Sequence, residues 1–356
     1  GDIDLSTCER EPIHVPGAIQ PHGLLFALTE PDLRIVQASA NTAALIGREA
    51  GALLGTSFEE LIDGTLCEQL RETPEGPEMA RLSPVPVLVD GRAFDAIVHR
   101  ADGLAIVELE PHPDDAPAYR DCHAAVRDAL LRLQGCADMR RMFEVAVEEV
   151  YRIAGFDRVM LYRFHEDQHG EVVAEHCPPG RLSYLHQHYP ASDIPSQARR
   201  LFELNRLRLI VDAGYVPAPL VPTDNPLRGA PLDLSRSVLR SVSPVHVMYL
   251  HNMGVAASMT ISLLREQRLW GMIACHHEAP RFVPYEVRLV CDFLGQALSS
   301  LLAAREGVEV AERQRDVGLV LAGLIERLAQ TKDPARALLS RPEALRDLIP
   351  AQGVAV

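Results

Sequence analysis

Residues 189–199 read YPASDIPSQAR, a segment in which Pro190 and Pro195 enclose a short turn. Proline fixes its φ angle, so a turn between two prolines is rigid and holds its backbone carbonyls in place. Ser196 is a favourable N-cap residue, which predicts that a helix begins there. Fixed carbonyls suit a ligand with several N–H donors, although such a pattern alone is more often an ordinary proline-bounded loop.

The chain before this turn predicts a small α+β domain. Strands are expected at 23–29 and 33–39, with a short helix from Asn41. Farther along, Asp90-Gly91 and Asp102-Gly103 separate three apolar stretches. Asp-Gly between such stretches is a strong hairpin signal, because both residues tolerate positive φ. These features predict an antiparallel meander.

A second α+β domain is predicted around the turn. Helical patterns at 120–134 and 138–154 precede two strands, and a hairpin turned at Glu266-Gln267 closes the domain. Residues 178–244 contain ten prolines and show no regular pattern. Irregular stretches this long inside a compact domain are usually functional or disordered. From Val287 onward, apolar residues follow helical spacing and predict one long helix.

Composition narrows the classes of function. With 35 basic and 49 acidic residues, the net charge of −14 disfavours direct binding to nucleic acid or to an anionic membrane. No uninterrupted apolar run reaches the roughly 18 residues of a transmembrane helix, and the first residues lack the apolar segment of a signal peptide. The seven cysteines are scattered without a C-x-x-C pair, which is typical of a reducing compartment. We therefore expect a cytoplasmic protein.

Five segments, in this order, are similar to the bacteriophytochromes, a family of bacterial red-light receptors. They are CEREPIHVPGAIQPHG at 8–23, DRVMLYRF at 157–164, PASDIP at 190–195, LRSVSPVHVMYLHNMGV at 239–255 and LWGMIACHH at 269–277. The resemblance covers residues 8 to about 300, so it includes both predicted domains.

The resemblance implies an α+β fold with a PAS domain and a GAF domain, each an antiparallel sheet with flanking helices, and then a long C-terminal helix. It also implies a figure-of-eight knot, with the segment around Ile19 threaded through a GAF loop. Spacing alone could not show a knot, because knots are rare. We expect the N-terminal segment and PAS domain at 1–117, the GAF domain at 118–305, and the connecting helix with the start of a PHY domain at 306–356. A final strand is expected at 348–356.

The resemblance further implies a covalently bound biliverdin chromophore. Bacterial members attach this pigment at the position of Cys8, through the vinyl group of ring A. Plant and cyanobacterial members carry their attachment cysteine in the GAF domain, where this chain has Val245. Valine cannot bond the pigment, so attachment at Cys8 is the consistent expectation. The nearby Arg10 favours the reactive thiolate, although alone Cys8 could be an incidental cysteine in a polar tail.

Other positions match the family's chromophore pocket. The resemblance implies that the main chain of Asp193 and the ring of His246 face the pyrrole N–H groups. Arg208 and Arg240 are expected to bind the two propionates, because guanidinium forms paired hydrogen bonds with carboxylates. His276 is expected to bond the ring D carbonyl. The remaining expected lining residues are Met160, Tyr162, Tyr189, Ile194, Pro195, Phe202, Ser243, Val245, Tyr249, Ser258 and Thr260.

Two of these details can be refined from the sequence. Phe202 stands where the family commonly has tyrosine, so one polar partner of a propionate-binding arginine or of Asp193 is lost. We expect bilin binding to persist and photochemical detail to differ. His277 should face away from His276, because adjacent side chains on a strand alternate.

The residues alone leave rival functions open. A PAS–GAF regulatory module could bind a non-bilin effector, and a cysteine-nucleophile enzyme would also use a thiol and histidines. Zinc binding by His186, His188, Cys275, His276 and His277 is disfavoured, because the last three are consecutive on one strand. We therefore expect no metal site.

The resemblance also implies how the signal leaves the module. No phosphoacceptor or ATP-binding motif is visible, so we expect a non-enzymatic sensory fragment whose response-regulator partner is reached through an absent output domain. The long helix is expected to form a homodimer. With only the start of a PHY domain, photoconversion should be incomplete and fluorescence enhanced.

Overall fold

The structure is a computed structural model that describes residues 11–62, 64–74, 76, 82–114, 119–330 and 333–334. Cys8 and the strand expected at 348–356 lie outside these residues. The chain up to Ser299 forms one compact unit, and the described residues from Ser300 belong to a second unit. The predicted domain boundaries remain predictions.

The described secondary structure alternates short helices with antiparallel strands. The strands are β1 (Ala18–Ile19), β2 (Leu24–Leu28), β3 (Ile35–Ser39), β4 (Val85–Val89), β5 (Arg92–Ala101), β6 (Leu104–Pro111), β7 (Arg158–Phe164), β8 (Gly170–His176), β9 (His188–Tyr189), β10 (Leu207–Ile210), β11 (Ala218–Val221), β12 (Asp224–Asn225), β13 (Ala230–Pro231), β14 (Ala257–Arg265) and β15 (Arg268–His277). The α-helices are α1 (Thr42–Ile46), α2 (Ala50–Leu53), α3 (Gly64–Glu72), α4 (Tyr119–Gln134), α5 (Met139–Ala154), α6 (Ser196–Leu204), α7 (Pro244–Asn252) and α8 (Tyr285–Ala329). Two short 3₁₀ helices occupy Phe58–Glu60 and Ala191–Asp193.

The first sheet has seven strands in the order β1-β11-β3-β2-β6-β5-β4. Asp90-Gly91 and Asp102-Gly103 turn the β4–β5 and β5–β6 hairpins, and their φ angles lie between 47° and 79°. The predicted meander is therefore confirmed. Side chains from α1, α2 and α3 pack with strand residues in one core, where the rings of Phe26 and Phe58 are 5.4 Å apart.

Two strands of this sheet come from outside the first domain's meander. β1 belongs to the N-terminal segment, and β11 belongs to the long irregular stretch of the second domain. β11 pairs with β1 on one side and with β3 on the other. On the side of β1 opposite β11, Ile19 forms a β-bridge with Arg240. There the backbone N–H of Gln20 donates to the carbonyl of Leu239 at 2.7 Å. The stretch 207–241 therefore borders β1 on both sides, as the predicted threading requires.

The second sheet has six strands in the order β10-β14-β15-β7-β8-β9. Helix α5 packs on β7 and β8, and α6 packs on β14 and β15. The first turns of α8 contact β14, where Ser299 Oγ accepts a hydrogen bond from the backbone N–H of Leu264 at 3.2 Å. Both sheets with their helices and the long helix α8 agree with the predicted PAS–GAF architecture.

The start of α6 corrects one prediction. The helix begins at Ser196 as expected, but the N-cap residue is Pro195, with φ −63° and ψ 159°, and no side chain caps the helix. The Pro195 carbonyl accepts the first helical hydrogen bond from Arg199 at 3.1 Å. Extended backbone at the cap is compatible with the fixed φ of proline, so Ser196 is displaced to the first helical position.

Helix α8 is, among the described residues, long and apolar enough by length and composition to cross a membrane. Its most apolar 18-residue window has a mean hydropathy of 1.4. One such helix is weak evidence of a membrane span, because core helices pass the same test. Here Leu294 and Leu298 on α8 are buried, and Gly295 lies against Ile261 of β14. Packing on the sheet accounts for the buried part of this apolar stripe.

A buried ionic cluster connects α8 to the first sheet. Arg288 of α8 and Glu110 of β6 form an ion pair in which both residues are 1% exposed, and His22 lies 3.2 Å from the same carboxylate. Burial raises the pKa of Glu110, but Arg288 and His22 outweigh it and lower the pKa to about 2. Because the folded pKa is depressed, this stabilisation is present above the unfolded pKa and is lost as the pH falls through the folded value.

We expect Arg288→Met to lower the free energy of unfolding at neutral pH by about 3–5 kcal/mol, because the Glu110 carboxylate stays buried without its cation. Urea denaturation followed by circular dichroism measures this change. Arg206→Met is the matched control: Arg206 pairs with Asp292 on the same helix but is 42% exposed, so its loss should cost less than about 1 kcal/mol. Equal costs for the two variants would contradict this assignment.

Candidate functional site

A cavity of about 540 Å³ lies between the second sheet and helices α6 and α7. Alternation along β15 turns Met272, Ala274 and His276 to the same side, where they form part of one wall. Every predicted binding residue among the described residues lines this cavity: Met160, Tyr162, Tyr189, Asp193, Ile194, Pro195, Phe202, Arg208, Arg240, Ser243, Val245, His246, Tyr249, Ser258, Thr260 and His276. The structure therefore brings the whole predicted set together, although their roles in binding remain a proposal.

The rigid turn predicted from the sequence forms one edge of the cavity. Residues 191–193 form a 3₁₀ turn between the two prolines, with the backbone N–H of Asp193 donating to Pro190 at 3.1 Å. The guanidinium of Arg199 reaches back from α6 and donates to the carbonyls of Ala191 and Ile194. Partial burial raises the pKa of the Asp193 carboxyl. The backbone of this edge is thus fixed by side-chain contacts as well as by proline.

Two buried arginines face the cavity, and the part of the chain that the structure describes places no anionic group in contact with them. Arg208 Nη2 donates to the carbonyl of Arg240, and Arg240 Nη1 donates to the carbonyl of Ile13 at 2.9 Å. Arg208 Nη1 and Arg240 Nε are buried and have no hydrogen-bond partner among the described residues. Burial lowers the pKa of Arg208 to about 10, and burial together with Arg208 lowers that of Arg240 to about 8. Such a pair is suited to bind an anion, because unpaired buried charge is costly.

The two cavity histidines are held in the neutral form. His246 on α7 is open to the cavity but surrounded by protein, and burial followed by the charge of Arg208 lowers its pKa to about 4. Burial, with His246 and Arg158, lowers the pKa of His276 to about 4 as well. His276 Nδ1 is buried and has no partner among the described residues. Each ring therefore offers one donor and one acceptor.

His277 lies on the other face of β15, as predicted. Its Nδ1 is 3.0 Å from Asp157, and its ring packs against Phe156. Cys275 is fully buried and also faces away from the cavity. The zinc ligand set considered from the sequence is therefore not brought together.

Tyr162, Tyr189 and Tyr249 form an aromatic wall of the cavity. The rings of Tyr162 and Tyr189 are 6.0 Å apart, and the ring of Tyr249 stacks on His246 at 6.3 Å. Burial, followed by the charge of Asp193, raises the pKa of Tyr162 and raises that of Tyr249 to about 12. These phenols are neutral hydrogen-bonding groups in the cavity wall.

Two contributions to the cavity, from Glu11 and from Gly170, were not predicted from the sequence. Ser243 Oγ donates to the carboxylate of Glu11 at 2.6 Å, so the N-terminal segment forms part of the wall. Gly170 was also missed: an added Cβ there would lie 1.7 Å from Tyr162 Cζ, so the absence of a side chain provides the space for that ring. The first contact depends on the threaded segment and the second on the β7–β8 pairing, so neither has a local signal.

The sequence and the fold were compared with known proteins. Family models match the PAS fold at residues 8–112 and the GAF domain at residues 138–302. Cyanobacterial phytochrome B of Nostoc sp. is 44% identical over 99% of this chain and 48% of its own length. The bacteriophytochrome of Pseudomonas aeruginosa is 38% identical over 99% of the chain and 48% of its own length. The chain thus spans about half the length of these curated relatives.

Solved structures agree with these matches. The photosensory core module of Stigmatella aurantiaca phytochrome has a TM-score of 0.87 at 45% identity, covering 99% of this chain and 71% of that structure. The chromophore-binding domain of a bacteriophytochrome from R. palustris has a TM-score of 0.79 at 45% identity, covering 85% of this chain and 99% of that structure. Fold and cavity together define a PAS–GAF photosensory module. The chain belongs to the phytochrome family of photoreceptors, and its PAS and GAF domains are those of a bacteriophytochrome.

We expect Gly170→Ala to displace the Tyr162 ring and to lower the free energy of unfolding by about 1–3 kcal/mol, the usual cost of overpacking. Urea denaturation measures the cost, and a crystal structure of the variant locates the ring. Gly64→Ala is the control, because nothing lies within 4 Å of its added Cβ. An unmoved Tyr162 in a fully stable Gly170→Ala protein would show that the space is not needed.

Proposed function

We propose that this chain is a red-light receptor module that binds biliverdin through a thioether to Cys8. Members of the phytochrome family bind bilin chromophores. The observation that carries the proposal for this chain is a pair of buried arginines, each with one N–H group that has no partner among the described residues, in a cavity whose wall includes Glu11. Glu11 is three residues after Cys8, and three extended residues span about 10 Å. That length of chain would let the Cys8 thiol reach the cavity.

The attachment step requires no oxidant. The Cys8 thiolate would add to the terminal carbon of the ring A vinyl group, so that a C–S bond forms as the C=C π bond breaks. The proton lost from the thiol is balanced by one taken up at carbon. Val245 stands at the GAF position where plant and cyanobacterial members carry cysteine, and the cavity offers no described cysteine in its lining. Cys8 is therefore the candidate nucleophile.

The lining matches the polar edges of a bilin. Arg208 and Arg240 would each satisfy their free N–H groups on a propionate, assisted by Ser243, Ser258 and Thr260. The Asp193 backbone and the His246 ring would form hydrogen bonds with the central pyrrole nitrogens. Nδ1 or Nε2 of His276 would donate a hydrogen bond to the ring D carbonyl. Met160, Ile194 and Pro195 supply apolar contact. The cavity volume is in the range typical of small-molecule sites.

His276 and the three tyrosines of the aromatic wall would convert light absorption into a protein signal. Biliverdin supplies the photochemistry, an isomerisation at the bond between rings C and D. Tyr162, Tyr189 and Tyr249 line the cavity and would border the space for that rotation. Their neutral hydroxyls could exchange partners without separating charge. The charge of Asp193 acts on both Tyr162 and Tyr249. A changed ring D contact would therefore alter the turn that precedes α6.

Helix α8 is the proposed output path and dimer contact. Several of its apolar side chains face solvent, among them Phe293 at 47%, Leu319 at 67% and Ile325 at 65% exposure. Exposed apolar residues along a long helix favour association with a second helix. We infer that two copies pair along α8 and that an output domain beyond it contacts the response regulator.

We expect the chain incubated with biliverdin to show a strong red absorption band that persists with the protein after denaturation, because the thioether survives unfolding. Cys8→Ser should lose the covalent band, whereas Cys177→Ser, which removes a partly exposed free thiol outside the cavity, should keep it. The measurement is an absorption spectrum of denatured protein after gel filtration. Covalent pigment in Cys8→Ser would place the attachment elsewhere, and no red band in any sample would favour a non-bilin effector.

We expect Arg208→Ala, made in the Cys8→Ser background, to weaken reversible biliverdin binding about 10- to 100-fold, since a hydrogen bond to a charged group contributes about 1.5–3 kcal/mol. Arg163→Ala is the control, because Arg163 is on β7 but lies over the Trp270 ring rather than in the cavity. Fluorescence titration gives both dissociation constants. The dimethyl ester of biliverdin should bind the parent and Arg208→Ala alike. An equal loss for acid and ester would argue against a propionate contact.

A further inference from the structure

Three histidines lie together at the edge of the second sheet, outside the cavity. His165 follows β7 and His169 precedes β8, and the backbone N–H of His165 donates to the carbonyl of His169 at 2.9 Å. His188 begins β9 and is directly paired with Glu171 of β8. A backbone hydrogen bond that closes the β7–β8 hairpin therefore joins His165 to His169, and strand pairing positions His188 beside them.

The imidazole rings contact one another. The centroids of the His165 and His169 rings are 4.3 Å apart and stacked, and those of His169 and His188 are 5.2 Å apart. One ring nitrogen of each histidine lies within 4.8 Å of the other two. Ligand nitrogens around one zinc ion are closer than this, because each Zn–N bond is about 2.0–2.1 Å. Small rotations of these partly exposed rings would close the remaining gap.

Two carboxylates lie behind the histidines. Glu171 is 3.1 Å from His165 Nε2, and Asp167 is 2.5 Å from His169 Nδ1. A histidine that binds a metal usually donates its other ring N–H to a carboxylate, which fixes the tautomer and increases the basicity of the ligand nitrogen. With these contacts kept, Nδ1 of His165 and Nε2 of His169 carry the free lone pairs. The donor set thus has the outer groups that a metal site requires.

We propose that His165, His169 and His188 form a binding site for a divalent transition metal of the zinc type. Three imidazoles suit Zn²⁺, and a water molecule would complete four-coordination. This site shares only His188 with the zinc set considered from the sequence, whose other members lie apart. It is independent of bilin binding, so its success or failure does not decide the proposed photoreceptor function.

The site would act on the strand that leads into the cavity. His188 is followed by Tyr189, whose ring belongs to the aromatic wall, and then by the rigid turn. A bound metal would tie the short strand β9 to the β7–β8 hairpin through side chains as well as through the backbone. Any effect on Tyr189 rests on the proposed function, whereas metal binding itself does not.

The test is a calorimetric titration of the whole chain with Zn²⁺ after chelator treatment, with no bilin added because a free tetrapyrrole is itself a chelator. We expect one Zn²⁺ per chain, and His169→Ala and His188→Ala should each raise the dissociation constant at least about 10-fold. His112→Ala is the first control, because His112 belongs to the other described group that could hold a metal, with Asp95 and Glu286. His251→Ala, an exposed histidine elsewhere, is the second.

A second measurement uses Co²⁺, whose visible absorption reports coordination by nitrogen ligands. The parent should develop this band at one equivalent, and His169→Ala should not. Thermal melting without metal shows whether each variant is folded, so a loss of binding by misfolding is recognised. Unchanged Zn²⁺ affinity in both His169→Ala and His188→Ala, loss of binding in His112→Ala instead, or no stoichiometric binding by the parent would each overturn the proposal.

Discussion

The passage of the N-terminal segment between two parts of one loop is the constraint on which the remaining structure depends. β1 has β11 on one side and the backbone of Arg240 on the other, and the buried Gln20 side chain donates to Leu209 at 2.9 Å. The same passage extends the first sheet with β11, supplies the Ile13 carbonyl that orients Arg240, and places Glu11 in the cavity wall. Sheet, cavity and arginine pair therefore share one set of backbone contacts.

Buried charge is distributed unevenly across the junction of the two domains. Glu108 accepts hydrogen bonds from the backbone N–H groups of Val238 and Leu239, which position the residue before Arg240, and burial raises its pKa to about 8. Glu110 has a cation of its own in Arg288. The cavity arginines have no anionic partner among the described residues, so an incoming anion would supply the missing counter-charge.

The two polar groupings of the second domain differ in their electrostatic surroundings. Inside the cavity, burial keeps His246 and His276 neutral, which favours hydrogen bonding to a largely apolar ligand. At the sheet edge, the three histidines are partly exposed and supported by carboxylates, which favours a cation. β9 belongs to both surroundings, because His188 and Tyr189 point to opposite sides of one strand.

Local sequence determined the hairpins at Asp90-Gly91 and Asp102-Gly103, the long helix and the rigid turn, because turn chemistry and helical periodicity act between near neighbours in the chain. Family motifs then predicted the cavity residues, all of which the structure brings together. Tertiary structure alone decided the sharing of β11 between domains, the space that Gly170 leaves for Tyr162, and the histidine cluster. Each of these depends on which strand lies beside another, and that pairing is set by contacts between residues far apart in sequence, which no local pattern encodes.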